Sequence, residues 1–330
     1  MVRIDPVFGQ ETPLLFAHRG GAREVAESTR RGFRHAVRVG ADVLELDIHV
    51  LDRDRTGRQR EFVVWHGPGL SNVRLGCFRD ARESYPRART RSENAIGHWT
   101  WQDLQGQAWV ADPEAWLEAN GDDKPMAALD LTGVRREEDR LLMTLQELLE
   151  EFPEHHANIE LKGRFTPADI EQLVALLDRL RSPRRVTLVT SARRASLVAF
   201  RRQSGERYPT GFSLPGVLAA WLGHLLPADM ENRQALQTTC HRRFTPERLI
   251  QAVQRRQGAV HVFLTAFTWM APAIDAVAGR PTREELFPIL DRGVDGVMTD
   301  RPERVRGLIE AWRQQRRHGA PAAAGLGRRV

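Results

Sequence analysis

The stretch "ELDIHVL", residues 45–51, places two carboxylates inside an apolar run with the composition of a buried β-strand. Glu45 and Asp47 are two positions apart, and side chains at positions i and i+2 of a strand lie on the same face. Two like charges side by side repel each other unless a positive charge lies between them. The stretch therefore predicts that a cation, from the protein or bound to it, accompanies these carboxylates.

Short apolar runs of this kind recur along the chain and alternate with segments of helical periodicity. Eight of them are strand candidates, at residues 13–18, 42–48, 157–161, 185–190, 209–213, 236–240, 260–265 and 295–299. The predicted N-caps of the helical segments are Ser28, Thr166, Ser191 and Thr245. Eight alternations of strand and helix predict an α/β fold, the (β/α)8 or TIM barrel.

One interval, residues 67–141, interrupts this alternation. We interpret it as an insertion after the second strand, preceded by an additional strand at 61–66 and followed by a helical segment at 144–152. The C-terminal residues 316–330 are low in complexity and are expected to be disordered. The sequence therefore predicts one barrel domain, residues 1–315, that contains the insertion.

The composition is that of an ordinary globular protein, with 330 residues, 41% hydrophobic and 28% charged. The formal net charge is +6, but the basic residues are scattered among acidic ones and do not alternate with aromatic residues. We therefore expect no nucleic-acid partner. Cys77 and Cys240 are far apart and form no CxxC pattern, so the sequence indicates neither a disulfide framework nor a zinc site.

The chain also lacks the sequence features of a membrane or secreted protein. No run of ~18 apolar residues is present, so no membrane-spanning helix is expected. The stretch "MVRIDPVFGQETPLL" has no apolar run after its basic start, so no secretory signal is expected. We expect a cytoplasmic protein, to which a lipid substrate would add peripheral membrane contact.

Polar side chains collect at the C-terminal ends of the predicted strands. They are His18 and Arg19 after the first strand, Glu45 and Asp47 on the second, His66 after the additional strand, and Glu160 and Lys162 on the third. Because the catalytic face of a (β/α)8 barrel is built from these ends, we expect the seven side chains to converge on one mouth. Three carboxylates suit Mg²⁺ or Ca²⁺ better than zinc, and such a cation would remove the repulsion between Glu45 and Asp47.

In these residues the sequence resembles the glycerophosphodiester phosphodiesterase family. The resemblance lies in "AHRGG" (17–21), "AEST" (26–29), "GADVLELDIHVL" (40–51), "VVWH" (63–66), "TLQELLEEFPEHHANIELKG" (144–163) and "GVDGVMTDRPERV" (293–305). It implies a (β/α)8 barrel with a small insertion, and metal-dependent hydrolysis of a phosphodiester substrate.

The resemblance also implies a role for each residue of the mouth. By this resemblance the metal ligands are Glu45, Asp47 and Glu160, and the acid/base pair is His18 and His66. Arg19 and Lys162 would bind phosphate or orient the ligand, and Glu27 would support the metal or the substrate hydroxyls. The metal and the two cationic side chains would neutralise the phosphodiester before attack. We assign His18 as the base and His66 as the acid.

Four departures from the family pattern leave the alcohol head group open. The family's His-Asp is His66-Gly67 here, and its Asn after the supporting Glu is Ser28. The Trp-Thr of the seventh strand is aligned with Leu264-Thr265, and an aromatic residue after the fourth strand is replaced by Ser191-Ala192.

Three functions therefore stay open. The first is hydrolysis of glycerophosphodiesters to an alcohol and glycerol phosphate. The second is lysophospholipase D-like cleavage of lipid phosphodiesters; the apolar segment 212–226 either packs as a core helix or contacts lipid tails beside the mouth. The third is a catalytically silent barrel that binds phosphate ligands, against which the complete set of carboxylates and histidines argues.

Overall fold

A computed structural model describes residues 3–25, 27–53, 60–66, 78–80, 100–102, 109–111, 143–222, 234–264 and 281–319. The strands of these residues, in chain order, are β1 (Leu14–Ala17), β2 (Val43–Arg53), β3 (Arg60–Val64), β4 (Phe78–Asp80), β5 (Trp109–Ala111), β6 (His156–Leu161), β7 (Thr187–Thr190), β8 (Thr210–Gly211), β9 (Gln234–Thr239), β10 (Ala259–Phe263) and β11 (Gly296–Thr299).

Eight of these strands form a closed parallel barrel. They pair in the order β1-β2-β6-β7-β8-β9-β10-β11, and β11 pairs with β1 to close the sheet. Each predicted barrel strand coincides with one of the eight. The predicted (β/α)8 barrel is therefore confirmed.

The additional strand β3 lies outside the barrel and runs antiparallel to β2. The backbone N–H of Trp65 donates to the carbonyl of Asp47 at 3.0 Å, so the chain that leaves β2 returns along it. This return brings His66 close to Asp47, in the middle of β2. Strands β4 and β5 form a separate antiparallel pair; most of the predicted insertion, and Cys77, lie outside the described residues, and the limits of the insertion stay a prediction.

Helices connect the strands around the barrel. Those of the described residues are α1 (Arg30–Arg38), α2 (Leu145–Glu151), α3 (Pro167–Arg179), α4 (Arg194–Ser204), α5 (Leu214–Trp221), α6 (Glu247–Gln254), α7 (Arg283–Asp291) and α8 (Pro302–Gly319). Helix α8 continues to Gly319, beyond residue 315 where the sequence predicted the end of the domain. None of these helices has the length and hydrophobicity needed to cross a bilayer.

The predicted N-caps are only partly correct. Thr166 caps α3 through a capping box with Asp169. The residue that caps α1 is Thr29 instead of Ser28, and its hydroxyl accepts from the Gly32 amide at 3.0 Å. The N-cap residues of α4 and α6 are Arg193 and Pro246, which make no side-chain cap bond, so the predictions at Ser191 and Thr245 were wrong.

Alternation along the strands creates an inner and an outer apolar layer. The barrel interior is filled by side chains that include Leu14, Phe16, Val43, Leu188, Ala235, Ala259 and Met298. Their neighbours along the strands pack outward against the helices, including Leu15, Leu44, Val189, Leu236, Val260 and Val297. The strand positions that lie inside the barrel are therefore known, and near the mouth they include the polar residues Glu45, Asp47 and Glu160.

The N-terminal segment closes the opposite end of the barrel. The buried Asp5 carboxylate accepts from the backbone amides of Val7 and Phe8 at 2.8 Å and contacts His261 Nε2 at 2.9 Å. The Phe8 ring lies 5.3 Å from the His156 ring. This segment therefore covers the N-terminal ends of the strands, which leaves the C-terminal ends for binding.

Candidate active site

The three predicted metal ligands lie on β2 and β6, close to where the pairing between these two strands ends. Glu45 and Asp47 lie on the inner face of β2 with only 2% and 1% of their surface exposed. Asp47 is paired in register with Glu160 of β6. One carboxylate oxygen from each of the three residues lies within 4.8 Å of the others. Neighbouring parallel strands thus place three oxygen donors around one point.

Two cationic side chains supply the positive charge that the opening stretch requires. Lys162 Nζ lies 2.8 Å from Glu160 Oε2 and 3.1 Å from Asp47 Oδ1. Arg19 Nε lies 3.1 Å from Asp47 Oδ2. Burial raises the pKa of Asp47, but Lys162 and Arg19 outweigh it and hold that pKa below its usual value.

The pKa of Glu45 is shifted in the opposite direction from that of Asp47. Burial, reinforced by the charge of Asp47, raises the pKa of Glu45 to about 7 despite the nearby His18 and Arg19. The pKa of Glu160 is also raised, chiefly by burial. The cationic side chains therefore hold the pKa of Asp47 down but do not offset the burial of Glu45 and Glu160, whose charged forms a bound cation would stabilise.

The donor set fits a hard divalent cation. All three candidate ligands are carboxylates, which Mg²⁺ and Ca²⁺ prefer. Asp47 Oδ2 is buried and, although 3.1 Å from Arg19 Nε, forms no hydrogen bond with acceptable geometry. A buried oxygen without a hydrogen bond is a position that a metal ion would satisfy. The residues that could hold the ion are therefore Glu45, Asp47 and Glu160.

A tight turn after β1 presents Arg19 to these carboxylates. Arg19 and Gly20 both have left-handed backbones, with φ of 51° and 83°. A Cβ on Gly20 would lie 2.8 Å from the carbonyl carbon of Gly32, so only glycine fits there. The turn lets the Arg19 backbone N–H donate to Glu45 Oε2 at 3.0 Å while Nη1 donates to Glu27 Oε2 at 3.2 Å. Glu27 therefore orients Arg19 in this structure.

His18 is buried at the start of the same turn. Its Nδ1 lies 2.6 Å from Asp300 Oδ1, and its Nε2 lies 3.9 Å from Glu45 Oε2. The ring meets Phe263 edge-to-face, with centroids 5.8 Å apart and planes at 83°. Burial and Arg19 lower the pKa of His18, but Asp300 and Glu45 outweigh them and raise it overall.

His66 lies near Asp47, where β3 returns to the mouth. Burial, with smaller effects from Arg19 and Lys162, lowers the pKa of His66 to about 3. Its Nδ1 is buried and has no hydrogen-bond partner among the described residues. The backbone carbonyl of His66 contacts His49 Nε2 at 3.4 Å. The two histidines thus lie near the carboxylates in unlike surroundings.

Two residues of the mouth were missed in the sequence. Asp300 lies within a quoted motif, and it is two positions after the inward-facing Met298, so strand alternation points it inward as well. Phe263 was overlooked because the family's Trp was aligned with Leu264. Leu264 is buried with the outer helices, whereas Phe263 contacts His18. The mouth therefore does contain an aromatic side chain.

A second cluster of ligand-type side chains, Glu24, His35 and Glu303, is explained by the fold. Glu24 Oε2 contacts His35 Nε2 at 2.8 Å and accepts from the backbone N–H of Glu303 at 3.0 Å. Glu24 Oε1 accepts from the backbone N–H of Arg304 at 3.3 Å. Glu24 therefore satisfies the first amides of α8, a structural role.

Solved structures share this fold. The glycerophosphodiester phosphodiesterase from Agrobacterium tumefaciens is 16% identical with a TM-score of 0.56, covering 89% of this chain and 100% of that chain. An Oleispira antarctica phosphodiesterase, solved in complex with the product sn-glycerol-3-phosphate, is 15% identical with a TM-score of 0.51, covering 90% and 97%. At these identities the similarity concerns the fold.

Sequence comparison identifies the family. Lysophospholipase D GDPD1 of Homo sapiens is 56% identical over 57 residues, which are 17% of this chain and 16% of the human protein. This match thus spans about one sixth of the curated relative. A sequence profile described as the glycerophosphoryl diester phosphodiesterase family matches residues 18–304. Because the profile covers most of the chain, this protein belongs to the glycerophosphoryl diester phosphodiesterase family.

Proposed function

We propose that this protein is a divalent-cation-dependent phosphodiesterase that hydrolyses glycerophosphodiesters to an alcohol and glycerol phosphate. The observation that carries the proposal is the group of three carboxylates, with donor oxygens within 4.8 Å of one another, beside two histidines. Family membership and the product-bound relative from Oleispira antarctica support the same reaction.

In this proposal Glu45, Asp47 and Glu160 hold Mg²⁺ or Ca²⁺. The bound cation would supply positive charge that polarises the phosphoryl group. Arg19 and Lys162 lie against the same carboxylates and would share the binding of the phosphodiester anion. Arg19 offers a planar fork held by Glu27, and Lys162 offers a point charge, so the two fix the orientation of the phosphate in different ways.

The two histidines divide the proton transfers. His18 takes a proton from the nucleophile, which is water or a neighbouring hydroxyl of the substrate. His66 donates a proton to the oxygen of the departing alcohol. Burial and Arg19 lower the pKa of His66 in the free protein, and the charge of a bound phosphodiester would raise it again. Each histidine is expected to contribute about 10²–10⁴-fold to the rate.

A substrate panel tests this function. Wild-type protein, supplied with Mg²⁺ or Ca²⁺, is incubated with glycerophosphocholine, glycerophosphoethanolamine and glycerophosphoglycerol, and the released alcohol is measured with glycerol phosphate. We expect both products in equal amounts and a loss of turnover in Glu160→Gln. Glu151→Gln is the control, because this carboxylate pairs with Arg30 and Arg34 outside the mouth. Phosphate binding without turnover of any diester would instead support the non-catalytic barrel.

A lipid phosphodiester is the second candidate substrate, favoured by the surface of α5. Leu214, Leu218 and Leu222 follow one another at helical spacing and are 42%, 40% and 73% exposed. Helix α5 begins directly after β8, so this apolar stripe starts near the mouth. The similarity to Lysophospholipase D GDPD1 adds to this candidate. Lysophospholipase D-like cleavage would also bring the protein into peripheral contact with a membrane.

The stripe, and not the whole apolar segment, is the part available to lipid. Val217 and Ala220 are buried, and Trp221 Nε1 donates to Thr238 Oγ1 at 2.8 Å, so this side of α5 packs on the barrel. Residues 223–226 lie outside the described residues. One face of α5 therefore packs as the core-helix interpretation of segment 212–226 predicts, and the other face is exposed.

The lipid candidate is tested by comparing kcat/KM for lysophosphatidylcholine and glycerophosphocholine below the micelle concentration. We expect Leu218→Ser and Leu222→Ser to lower the ratio, since apolar burial contributes ~0.8 kcal/mol per methylene. Ile4→Ser is the control, because Ile4 is 54% exposed and belongs to the N-terminal segment at the other end of the barrel. If glycerophosphocholine is the better substrate and the serine variants do not change the ratio, the lipid candidate is wrong.

A further inference from the structure

We propose that Asp300 is the positioning residue of His18: its carboxylate fixes the imidazole as the Nδ1–H tautomer and leaves the Nε2 lone pair for the nucleophile's proton. This inference rests on the proposed function, because it assigns a role within the same reaction.

The contact between Asp300 and His18 determines the tautomer. Asp300 follows β11 directly, and its Oδ1 lies 2.6 Å from His18 Nδ1. Its other oxygen, Oδ2, lies 3.9 Å from Arg23 Nε, so a cation supports the ionised form. An ionised carboxylate has no proton to donate and can only accept a hydrogen bond. The proton of this contact therefore belongs to Nδ1.

The remaining contacts of His18 leave Nε2 available. Nε2 lies 3.9 Å from Glu45 Oε2, which is too long for a hydrogen bond. The imidazole packs edge-to-face with the Phe263 ring, which restricts its rotation. Nδ1 contacts a carboxylate, the ring packs against an aromatic ring, and Nε2 is the nitrogen nearest the candidate metal ligand Glu45.

The hydrogen-bond partners of the Nδ1 atoms distinguish the two histidines. His66 Nδ1 is buried without a hydrogen-bond partner among the described residues, so no comparable carboxylate fixes its tautomer there. A base must accept a proton at one defined nitrogen, and it gains a positive charge when it does so. His18 has a carboxylate in place to stabilise that charge, and this favours His18 as the base.

The proton transfer can be written in full. The O–H bond of the nucleophile breaks as its oxygen attacks phosphorus, and the proton forms a new N–H bond at His18 Nε2. The bond from phosphorus to the alcohol oxygen breaks, and that oxygen takes a proton from His66, which regains one from solvent. Nδ1 keeps its proton and its hydrogen bond to Asp300, which remains ionised. The resulting imidazolium returns the Nε2 proton to solvent before the next turnover. No oxidant or further reactant is required.

Asparagine and alanine at position 300 distinguish this role from a structural one. Asparagine has the shape of aspartate, but its amide can donate a hydrogen bond to Nδ1 and so favour the opposite tautomer, with the proton on Nε2. Alanine removes the partner without enforcing the wrong tautomer. If Asp300 had a purely structural role, asparagine would be tolerated better than alanine. If it positions His18, asparagine should lower activity at least as much as alanine does.

The test combines kinetics with ¹⁵N NMR of full-length protein in the presence of Mg²⁺ or Ca²⁺. We expect Asp300→Asn to lower kcat by about 10²–10⁴-fold with little change in KM. The loss of kcat in Asp300→Ala should be no larger than in Asp300→Asn. The NMR signals of His18, identified by their loss in His18→Gln, should show Nδ1–H in the wild type and Nε2–H in Asp300→Asn. Asp300→Glu should recover part of kcat.

Asp295→Asn is the matched control. Asp295 immediately precedes β11, at the end of the strand opposite Asp300, where its carboxylate contacts Arg3 and accepts from the Val260 amide at 2.8 Å. This variant should lower the unfolding temperature and leave kcat and the His18 tautomer unchanged. The inference is overturned if His18 is the Nε2–H tautomer in the wild type, or if Asp300→Asn retains more activity than Asp300→Ala. If the wild type hydrolyses no phosphodiester, the proposed function fails, while the NMR result still decides the tautomer.

Discussion

Glu45→Gln is expected to stabilise the metal-free protein while it abolishes activity. Glu45 is 2% exposed, and burial raises its pKa from 4.5 to about 7. At ~1.36 kcal/mol per pKa unit, this difference corresponds to about 3 kcal/mol of folding stability that ionisation of Glu45 removes. Glutamine carries no charge and keeps an oxygen that can accept the Arg19 backbone N–H.

The size of the effect depends on pH. Below pH 4.5 the carboxyl is protonated in both the folded and the unfolded chain, so it causes no loss of stability. Between pH 4.5 and about 7 the unfolded chain releases its proton first, and wild-type stability falls. Above about pH 7 the loss is complete. The advantage of Glu45→Gln should therefore be largest at pH 8 and small below pH 5.

Thermal unfolding of chelator-treated protein measures this advantage. With an unfolding entropy of ~2.1 cal/mol/K per residue, 330 residues give about 0.7 kcal/mol/K, so about 3 kcal/mol raises Tm by about 4 °C. Adding Mg²⁺ or Ca²⁺ should raise Tm of the wild type and not of Glu45→Gln. Equal Tm values for the two metal-free proteins at pH 8 would refute the reasoning.

Asp47→Asn is the matched variant with the opposite expected sign. It also removes one negative charge from the site, but Lys162 and Arg19 hold the pKa of Asp47 below its usual value despite burial. Losing the contacts to these two cations should destabilise the metal-free protein by about 2–3 kcal/mol. A shared stabilisation of both variants would mean that net charge alone, and not the placement of the cations, governs the site.

Three further predictions concern the turn and the histidines. Gly20→Ala should lower stability by about 2 kcal/mol, as measured by urea unfolding, because Gly20 has a φ of 83° and its added Cβ would lie 2.8 Å from Gly32. Arg19→Lys should lower kcat/KM at least about tenfold, since one ammonium cannot replace the fork that contacts both Glu27 and Asp47; wild-type kinetics in this variant would contradict the role of the fork. His66→Ala should recover more activity than His18→Ala with a p-nitrophenyl phosphodiester, whose good leaving group needs little acid help; equal recovery would contradict the assignment of acid and base.

The barrel could be predicted because each strand carries its own signal. Apolar runs at regular intervals indicate buried parallel strands, and all eight were found in the closed sheet. The details of the helix starts were harder to predict, since Ser28 and Thr29 are both good N-caps and only the left-handed φ of 57° at Ser28 decides between them. Local propensity does not contain that tertiary constraint.

The site was predicted less completely than the fold. Glu45, Asp47 and Glu160 follow from alternation on two neighbouring strands, and the structure brings them together. The contact of Asp300 with His18 joins residues 282 positions apart, so no local pattern indicates it. Lys162 was expected to orient phosphate, but its contacts here are with Asp47 and Glu160, and those depend on the register between β2 and β6.

The most direct test of the central claim is a titration of metal-free wild-type protein with Mg²⁺ or Ca²⁺ during hydrolysis of glycerophosphocholine. Choline and glycerol phosphate are both quantified, and bound metal is measured on the same samples. We predict no turnover without the cation, and a rate that rises with occupancy of the site formed by Glu45, Asp47 and Glu160. Full turnover after exhaustive chelation, with no metal bound, would contradict the claim.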